Sequence, residues 1–235
     1  MKAIIFDKDG TLLDFEPFWA KLSNAGISAL ADALGVREYA PEMKHAIGVY
    51  DDYTVENSII RKGTCGEMAQ AINAVLERAG VCARTDGQQV EQFLIASMGE
   101  GEVRPTCESL VPTLQRLKSK GALLFLVTTD IALITNHCLE GLGVRDLFAE
   151  IITDDGKTPP KPDPAAITYL LKKYNLRRED ICMVGDTDTD VRFARNGGIL
   201  SIRVGRENSV FEMEDIRIPD VSHLESVITI DPYGH

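Results

Sequence analysis

Carboxyl, hydroxyl and ammonium side chains stand directly after apolar segments, or in a stiff loop, at four places in this chain. In sequence order they are Asp7 and Asp9 after Ala3-Ile4-Ile5-Phe6, Thr128 and Thr129 after Leu123-Leu124-Phe125-Leu126-Val127, Lys161 in Pro159-Pro160-Lys161-Pro162, and Asp186 and Asp190 after Ile181-Cys182-Met183-Val184. In an open parallel sheet, ligands bind where the strands end, so the four groups are expected to converge on one pocket. Carboxylates, a hydroxyl and a lysine in one pocket are the groups needed to bind Mg²⁺ and move a phosphoryl group.

Asp7 and Asp9 form the first group, and Gly10 after them lets the chain turn sharply. We interpret Asp7 as a nucleophile, because a carboxylate that attacks phosphorus divides one difficult displacement into two easier ones. Asp9 is placed to protonate the leaving oxygen and then to take a proton from the attacking water. Two aspartates that only close a turn are the alternative explanation for this motif.

Thr128 and Lys161 are the expected phosphate-binding groups of the second and third motifs. The Thr128 hydroxyl can bind a phosphoryl oxygen together with backbone N–H groups, and its alternative role is an N-cap for the helix that begins near Ile131. The prolines around Lys161 hold its ammonium in place, although a surface-loop lysine is the alternative. The full set of predicted phosphate-binding residues is Asp7, Lys8, Asp9, Thr128, Thr129 and Lys161.

Asp186 and Asp190 lie one helical turn apart, so their carboxylates are expected to face the same way. Hard oxygen ligands, with water in the remaining positions, suit Mg²⁺. Asp188 between them is expected to point elsewhere and to complement the dipole of the helix. Helix capping alone is the alternative explanation for this run of aspartates.

Strands that alternate with helices over residues 1–13 and about 103–235 predict an α/β fold, with a parallel sheet covered by helices on both faces. The predicted strands are Ala3–Phe6, Ala122–Val127, Glu150–Thr153, Ile181–Val184 and Leu200–Val204. The predicted helices lie near 106–120, 131–141, 164–175 and 188–197. The predicted strands are almost continuously apolar, which is typical of a sheet that is buried on both sides.

Residues 15–98 show amphipathic helical patterns and no convincing strand. Predicted helices end at Gly35 and Gly80, and a third runs from Gln88 to Met98. The sequence therefore predicts a sheet-containing core formed by residues 1–14 and 99–235, and a helical domain formed by residues 15–98. An insert that directly follows the strand carrying Asp7 is well placed to cover the pocket as a lid.

Composition excludes several classes of protein. The chain is 44% hydrophobic and 26% charged, which is ordinary for a globular protein, and no apolar run approaches the roughly 20 residues that span a bilayer. The N-terminus enters a core strand too soon for a signal peptide, so we expect a cytoplasmic protein. The five cysteines lack metal-ligand or disulfide spacing. A net charge of −11 without a basic patch argues against nucleic-acid binding.

Taken together, the four groups resemble the motifs of the haloacid dehalogenase superfamily in its phosphatase branch, and in particular its phosphoglycolate-phosphatase-like members. The matching residues are Asp7-x-Asp9-Gly10-Thr11, Thr128, Lys161 and Gly185-Asp186-x-x-x-Asp190. The resemblance implies a Rossmann-like core with a helical cap inserted after the first strand, an aspartyl-phosphate intermediate and a Mg²⁺ cofactor. It also implies that the metal is held by the Asp7 carboxylate, the Asp9 backbone carbonyl and Asp186, with Asp190 supporting it directly or through water.

Asp9 separates the branches of this superfamily. The dehalogenases of the superfamily lack the second acid of the first motif, and its phosphonate-cleaving members carry alanine there. This chain has Asp9 at that position. An alkoxide leaving group needs such a proton donor, so Asp9 favours phosphate-ester chemistry. We therefore predict hydrolysis of a small-molecule phosphomonoester, with no nucleic-acid or membrane partner. Phe15 departs from many relatives, which carry a small polar residue at that position, and it bears on the cap hinge and on specificity.

Three other functions are compatible with parts of the pattern. A phosphomutase of the β-phosphoglucomutase type shares all four motifs and returns the phosphoryl group to a sugar. A phosphorylated receiver-type signalling domain also groups acids, a threonine and a lysine, but it is much shorter and carries its phosphoacceptor on a middle strand. A binding protein that has lost activity is disfavoured because every catalytic group is present.

Arg61, Lys62 and Thr64 are the candidates for substrate specificity. They fall in a predicted loop of the helical insert, before the helix at residue 67. An arginine or lysine there could hold a substrate carboxylate or a second phosphate. A solvated loop explains the same residues equally well.

Overall fold

The computed structural model describes residues 1–205 and 214–231, so residues 206–213 and 232–235 of the predicted core lie outside the description. The chain divides into two compact units. One consists of Met1–Asp14 with Pro105–His235, and the other is Phe15–Arg104.

The first unit contains a six-stranded sheet with the strand order β3-β2-β1-β4-β5-β6, in which every pairing is parallel. The strands are β1 (Ala3–Phe6), β2 (Leu123–Ile131), β3 (Glu150–Asp154), β4 (Ile181–Gly185), β5 (Leu200–Val204) and β6 (Ile216–Ile218). This confirms the predicted α/β class with a parallel sheet. Central β1 is apolar and wholly buried, as expected for a strand covered on both faces.

Ten helices are described in the two units. In the second unit they are α1 (Phe15–Ala33), α2 (Ala40–Ile47), α3 (Ile59–Lys62), α4 (Cys65–Arg78) and α5 (Gly87–Ala96). In the first unit they are α6 (Leu110–Ser119), α7 (Ala132–Gly141), α8 (Ala165–Lys173), α9 (Asp188–Gly197) and α10 (Leu224–Val227). Among the described residues, none of the helices combines the length and the apolarity that crossing a bilayer requires.

The register of the sheet brings the ends of three strands level. Phe6 of β1 pairs with Leu126 of β2 on one side and with Val184 of β4 on the other. On one face of the sheet, Ile5, Phe125 and Met183 form a buried core with side chains of α8 and α9. Hydrophobic burial of this face fixes the register, so the residues that follow these strands meet at one edge.

Some elements differ from those predicted. Strand β2 continues past Val127 to Ile131, with a register shift between these two residues where it pairs with β3. Strand β6 was not predicted, because three residues are too few to show a periodic pattern. Helices α2 and α3 were also missed, and α6 begins at Leu110 rather than near residue 106.

The second unit, called the helical unit below, extends to Arg104 rather than to residue 98. The segment after α5 stays with this unit because the Glu102 backbone N–H donates to the Pro17 carbonyl at 3.0 Å. Gly101 also packs closely against the Phe18 side chain. These contacts hold the segment after α5 against the start of α1.

Candidate active site

Asp7, Asp186 and Asp190 meet at the carboxyl end of β1 and β4. The Asp7 backbone N–H continues the sheet ladder by donating to the Val184 carbonyl at 2.9 Å. One carboxylate oxygen from each of the three residues lies within 4.8 Å of the others. The two strand ends and the first turn of α9 thus create a compact group of three acids.

Lys161 joins this group as its positive charge. Its Nζ donates to Asp7 Oδ1 at 2.6 Å and to Asp190 Oδ1 at 2.7 Å, and its side chain is only 5% exposed. Burial alone would lower the pKa of Lys161, but Asp190 and Asp7 outweigh it and raise that pKa above its usual value. The Asn196 amide holds the loop by donating to the Pro162 carbonyl at 2.9 Å. Lys161 is therefore a fixed, charged residue and not a surface-loop lysine.

Asp190 has two roles, one for each carboxylate oxygen. Its Oδ2 accepts from the Thr187 hydroxyl at 2.6 Å and from the Thr187 N–H at 3.1 Å, which caps α9. Its Oδ1 is the oxygen that Lys161 binds. Asp190 therefore does take part in capping α9, and this contact orients its carboxylate toward Asp7 and Asp186.

Asp186 is held close to the turn that follows β1. Its Oδ1 accepts from the Thr11 hydroxyl at 3.1 Å. Gly10 adopts a φ of +75°, and a Cβ at this position would lie 2.2 Å from Asp186 Oδ2. Both the positive φ and the close approach require glycine here.

The acid group carries more negative charge than Lys161 offsets. Burial, assisted by Asp190 and opposed by Lys161, raises the pKa of Asp7 from 3.8 to about 7. Burial, Asp7 and Asp190 raise the pKa of Asp186 well above its usual value. A set of buried carboxylates in this state fits a hard divalent cation, which would relieve the repulsion among them.

Asp9 lies beside a second buried lysine. Lys8 Nζ is 2.8 Å from Asp9 Oδ1 and 2.8 Å from Asp130 Oδ2, and the Lys8 side chain is 0% exposed. Burial acts to lower the pKa of Lys8, yet Asp130 and Asp9 together raise it, so the ammonium stays charged. Because its ammonium is engaged in this way, Lys8 could contribute to phosphate binding only through its backbone N–H.

Thr128 and Thr129 differ in their surroundings. Thr128 is buried, and its Oγ1 accepts from the Asp130 backbone N–H at 3.2 Å, whereas Thr129 is exposed. The N-cap of α7 is Ile131, which makes no side-chain cap. The alternative role of Thr128 as the cap of this helix is therefore wrong.

Asp130 is the residue of this region that sequence reasoning missed. Its actual place is in the polar extension of β2, where its carboxylate contacts Lys8. A buried ammonium requires carboxylate partners, but the sequence alone does not show that Lys8 is buried.

Arg61, Lys62 and Thr64 lie in the helical unit, and the structure does not place them in a loop. Arg61 and Lys62 belong to helix α3, and Thr64 is the N-cap of α4, where it forms a capping box with Glu67. Lys62 Nζ contacts the Asn57 side-chain oxygen.

Arg61 is bound by several groups of the helical unit. Its guanidinium contacts the Glu16 carboxylate, donates to Thr54 Oγ1 at 2.7 Å, and lies 4.3 Å from the centre of the Phe15 ring. Phe15 in turn stacks on Trp19, with 6.0 Å between ring centres. These contacts join the start of α1 to α3.

Comparison with known proteins agrees with this geometry. A model of the haloacid dehalogenase-like hydrolase family matches residues 1–198. The phosphoglycolate phosphatase of Vibrio parahaemolyticus serotype O3:K6 is 27% identical over 203 residues, which are 86% of this chain and 82% of that protein.

Solved structures extend the likeness in fold to nearly the whole chain. YfnB from Bacillus subtilis, described as a HAD-hydrolase bound to magnesium, has a TM-score of 0.71 at 18% identity and covers 97% of this chain and 99% of its own. A protein described as a β-phosphoglucomutase from Thermotoga maritima has a TM-score of 0.66 at 17% identity. The match covers 97% of this chain and 100% of that protein.

Proposed function

Because the chain belongs to the haloacid dehalogenase-like hydrolase family, we propose that it is a Mg²⁺-dependent phosphatase that hydrolyses a small-molecule phosphomonoester. The observation that carries this proposal is the buried cluster in which Lys161 bridges Asp7 and Asp190, with Asp186 beside them. The cluster combines a nucleophilic carboxylate, a fixed positive charge and oxygen ligands for a cation.

Asp7, Asp186 and Asp190 are the side chains that would hold Mg²⁺, and the backbone carbonyl of Asp9 is a further predicted ligand. Their donor set consists of oxygen alone, which matches the preference of this ion. When bound, Mg²⁺ supplies positive charge that stabilises the phosphoryl oxygens during transfer.

In the first step, an Asp7 carboxylate oxygen attacks phosphorus and the bond from phosphorus to the ester oxygen breaks. The Asp9 carboxyl gives its proton to the departing oxygen, which leaves as an alcohol. Lys161, bonded to Asp7 Oδ1, orients this carboxylate and favours its ionised form. Thr128, with Thr129 and the backbone N–H of Lys8, binds the phosphoryl oxygens in this proposal.

In the second step, water attacks the phosphorus of the aspartyl-phosphate on Asp7. Asp9, now a carboxylate, takes a proton from this water, and the bond between phosphorus and the Asp7 oxygen breaks. Inorganic phosphate leaves and both aspartates return to their starting states. Asp9 therefore acts on both halves of the reaction.

Phosphoglycolate is the first candidate substrate, because the curated relative from Vibrio is a phosphoglycolate phosphatase. In this proposal the helical unit acts as the cap. A role of Arg61, Lys62 and Thr64 in specificity stays a prediction, because contacts within the helical unit already engage their side chains. A cytoplasmic location is part of this proposal.

The test is phosphate release from an aryl phosphate and from 2-phosphoglycolate, with Mg²⁺ and after its removal by a chelator. We expect release that requires Mg²⁺ and a covalent phosphoenzyme that can be trapped by acid quench. Turnover that persists at full rate without any divalent cation would contradict the metal part of the proposal.

A sugar phosphomutase is the second candidate, favoured by the likeness in fold to the Thermotoga protein. The two activities share the phosphoenzyme and differ in its acceptor. Incubation with β-glucose 1-phosphate separates them: an isomerised sugar phosphate identifies a mutase, whereas free phosphate identifies a phosphatase. Neither product, together with a long-lived phosphoprotein, would instead favour a receiver-type domain.

A further inference from the structure

The ammonium of Lys8 is buried between the two carboxylates of Asp9 and Asp130. It lies 2.8 Å from an oxygen of each, and no part of the Lys8 side chain is exposed. A buried ammonium without water is strongly unfavourable unless carboxylates replace its solvation. The position of the Asp9 carboxylate is thus linked to a cation that cannot move freely.

A nearby thiol does not change this charge balance. Cys138 Sγ lies 4.0 Å from Lys8 Nζ. Burial raises the pKa of Cys138 to about 12, so its thiol is neutral near pH 7. The two carboxylates therefore provide the negative charge that holds Lys8.

Asp130 connects Lys8 to the strand that carries Thr128. It lies in the extension of β2, and its backbone N–H donates to Thr128 Oγ1 at 3.2 Å. A chain of contacts thus runs from Asp9 through Lys8 and Asp130 to Thr128, joining the ends of β1 and β2.

The backbone of Lys8 fixes the other side of the same turn. Its carbonyl accepts from the N–H groups of Leu12 and Leu13, both at 2.9 Å. The Gly10 N–H donates to the Leu13 carbonyl at 2.8 Å, which closes the loop around Asp9. With the backbone closed in this way, the main freedom left to Asp9 is the rotation of its side chain, which Lys8 restrains.

We propose that Lys8 is a positioning residue that holds Asp9 through its Oδ1 in the orientation needed for proton transfer, with Asp130 as the counter-anchor. This inference rests on the proposed function, in which Asp9 protonates the leaving oxygen. General acids contribute about 10²–10⁴-fold only when they are within hydrogen-bond reach of the proton acceptor. Loss of the restraint should therefore affect substrates according to their need for that proton.

A purely structural ion pair predicts something different. If Lys8 only joins β1 to β2, its removal weakens the fold and lowers activity on every substrate alike. If Lys8 positions Asp9, its removal lowers activity on phosphate esters of alcohols. Activity on esters of acidic phenols is retained, because these leaving groups depart without a proton. The ratio of the two activities separates these explanations.

The experiment compares Lys8→Met with wild type on 2-phosphoglycolate and on p-nitrophenyl phosphate, using kcat/KM. This parameter includes the first step, in which the leaving group departs, whereas kcat also includes attack by water. We expect the ratio of the alkyl to the aryl kcat/KM to fall about tenfold or more, with the aryl value changing by less than about threefold. Asp9→Asn gives the reference for complete loss of the acid.

A second readout follows from the double role of Asp9. With p-nitrophenyl phosphate, Lys8→Met should show a burst of one nitrophenol for each active site, because attack by water on the aspartyl-phosphate is slowed. Asp9→Asn should show the same burst. Its ratio of burst rate to steady-state rate should exceed that of Lys8→Met.

Lys8→Met removes the ammonium from between two partly buried carboxylates, so the double variant Lys8→Met/Asp130→Asn guards against a folding defect. It removes the Asp130 charge that faced Lys8 and should recover thermal stability without recovering the alkyl activity. Cys182→Ala, in buried strand β4, is the matched control for a core change away from Asp9. It should leave the ratio of alkyl to aryl activity unchanged even if stability falls.

Equal loss on both substrates in the stably folded double variant would overturn the positioning role. Recovery of alkyl activity along with stability would overturn it as well. Absence of Mg²⁺-dependent turnover by wild type on either ester would instead contradict the proposed function itself, so the two failures are distinguishable.

Discussion

Two lysines at the sheet edge of the first unit are buried, whereas an ion pair of the helical unit lies nearer to solvent. Lys8 is 0% exposed and Lys161 5%, whereas the Arg61 and Glu16 side chains of the helical unit are 26% and 34% exposed. Burial of charge is costly, while an exposed pair has little effect on stability. The sheet edge therefore holds groups that the fold alone does not need.

The two units also differ in how their charges are balanced. Arg61 contacts the carboxylate of Glu16, whereas Lys161 stands among Asp7, Asp186 and Asp190. Excess buried charge lowers stability and is retained where a ligand or a reaction uses it. This contrast indicates that substitutions in the first unit should affect chemistry, and those in the second should mainly affect folding or recognition.

Asp7→Asn is expected to have the largest effect. An amide keeps the shape of the side chain but cannot attack phosphorus, so turnover should fall about a thousandfold or more. Phosphate release and acid-stable phosphoenzyme both measure this. Asp163→Asn is the matched control, because Asp163 is an exposed acid near Lys161 that caps the Ala165 N–H at 2.9 Å. Normal turnover of Asp7→Asn would show that the nucleophile is wrongly assigned.

Asp186→Asn should raise the Mg²⁺ concentration needed for half-maximal activity by roughly tenfold or more, because one anionic ligand is lost. Without metal, the same variant should be more stable than wild type, since a buried repelling charge has been removed. Activity and thermal stability would then move in opposite directions.

The control for this prediction is Asp188→Asn. Asp188 lies in the same segment, but its carboxylate pairs with Arg203 at 2.8 Å. Its substitution should leave the Mg²⁺ requirement unchanged. A similar rise in both variants would mean that the segment, rather than the Asp186 ligand, determines metal affinity.

The meeting of Asp7, Lys161, Asp186 and Asp190 could be predicted because it depends on features that sequence displays. Apolar runs mark the strands, and parallel strands end at a common edge. The sheet and the helical nature of residues 15–98 follow from the same patterns. The family resemblance also follows from motifs that stand at such ends or, for Lys161, in a proline-rich loop.

The Lys8 pairing could not be predicted, because the alternation of side chains stops where β1 turns into its loop. Asp130 was missed for a related reason: the extension of β2 through Thr128 and Asp130 is polar and looks like a helix start. Strand β6 and helix α3 are shorter than one repeat of a recognisable pattern, so only tertiary packing defines them.

Metal-free protein should lose stability as the pH rises from about 4 to about 7. The pKa of Asp7 is raised from 3.8 to about 7 in the folded state, so the folded protein holds a proton that the unfolded chain has released in this range. The stabilisation is complete below pH 3.8 and lost as the pH passes about 7.

Thermal unfolding at pH 5 and pH 8, with and without Mg²⁺, measures this effect. Mg²⁺ should raise Tm by several degrees more at pH 8, where Asp7 is ionised and free to bind it. Asp180, whose pKa is lowered to about 2, contributes equally at both pH values. A Mg²⁺-induced shift that is equal at pH 5 and pH 8, or that persists in Asp7→Asn, would contradict the assignment.

Arg61→Met should have the smallest effect and should sharpen the contrast between the units. It removes the contacts of Arg61 with Glu16, Thr54 and the Phe15 ring, at a cost of about 1 kcal/mol in the free energy of unfolding. Because Glu16 already balances this guanidinium, we expect kcat to be retained and KM for 2-phosphoglycolate to change by less than about threefold.

The control is Lys62→Met, which removes the contact of the Lys62 ammonium with the Asn57 side-chain oxygen and should change neither kcat nor KM. A rise in KM of tenfold or more at unchanged Tm would instead make Arg61 a determinant of substrate specificity, and the helical unit would then use a locally paired charge for recognition.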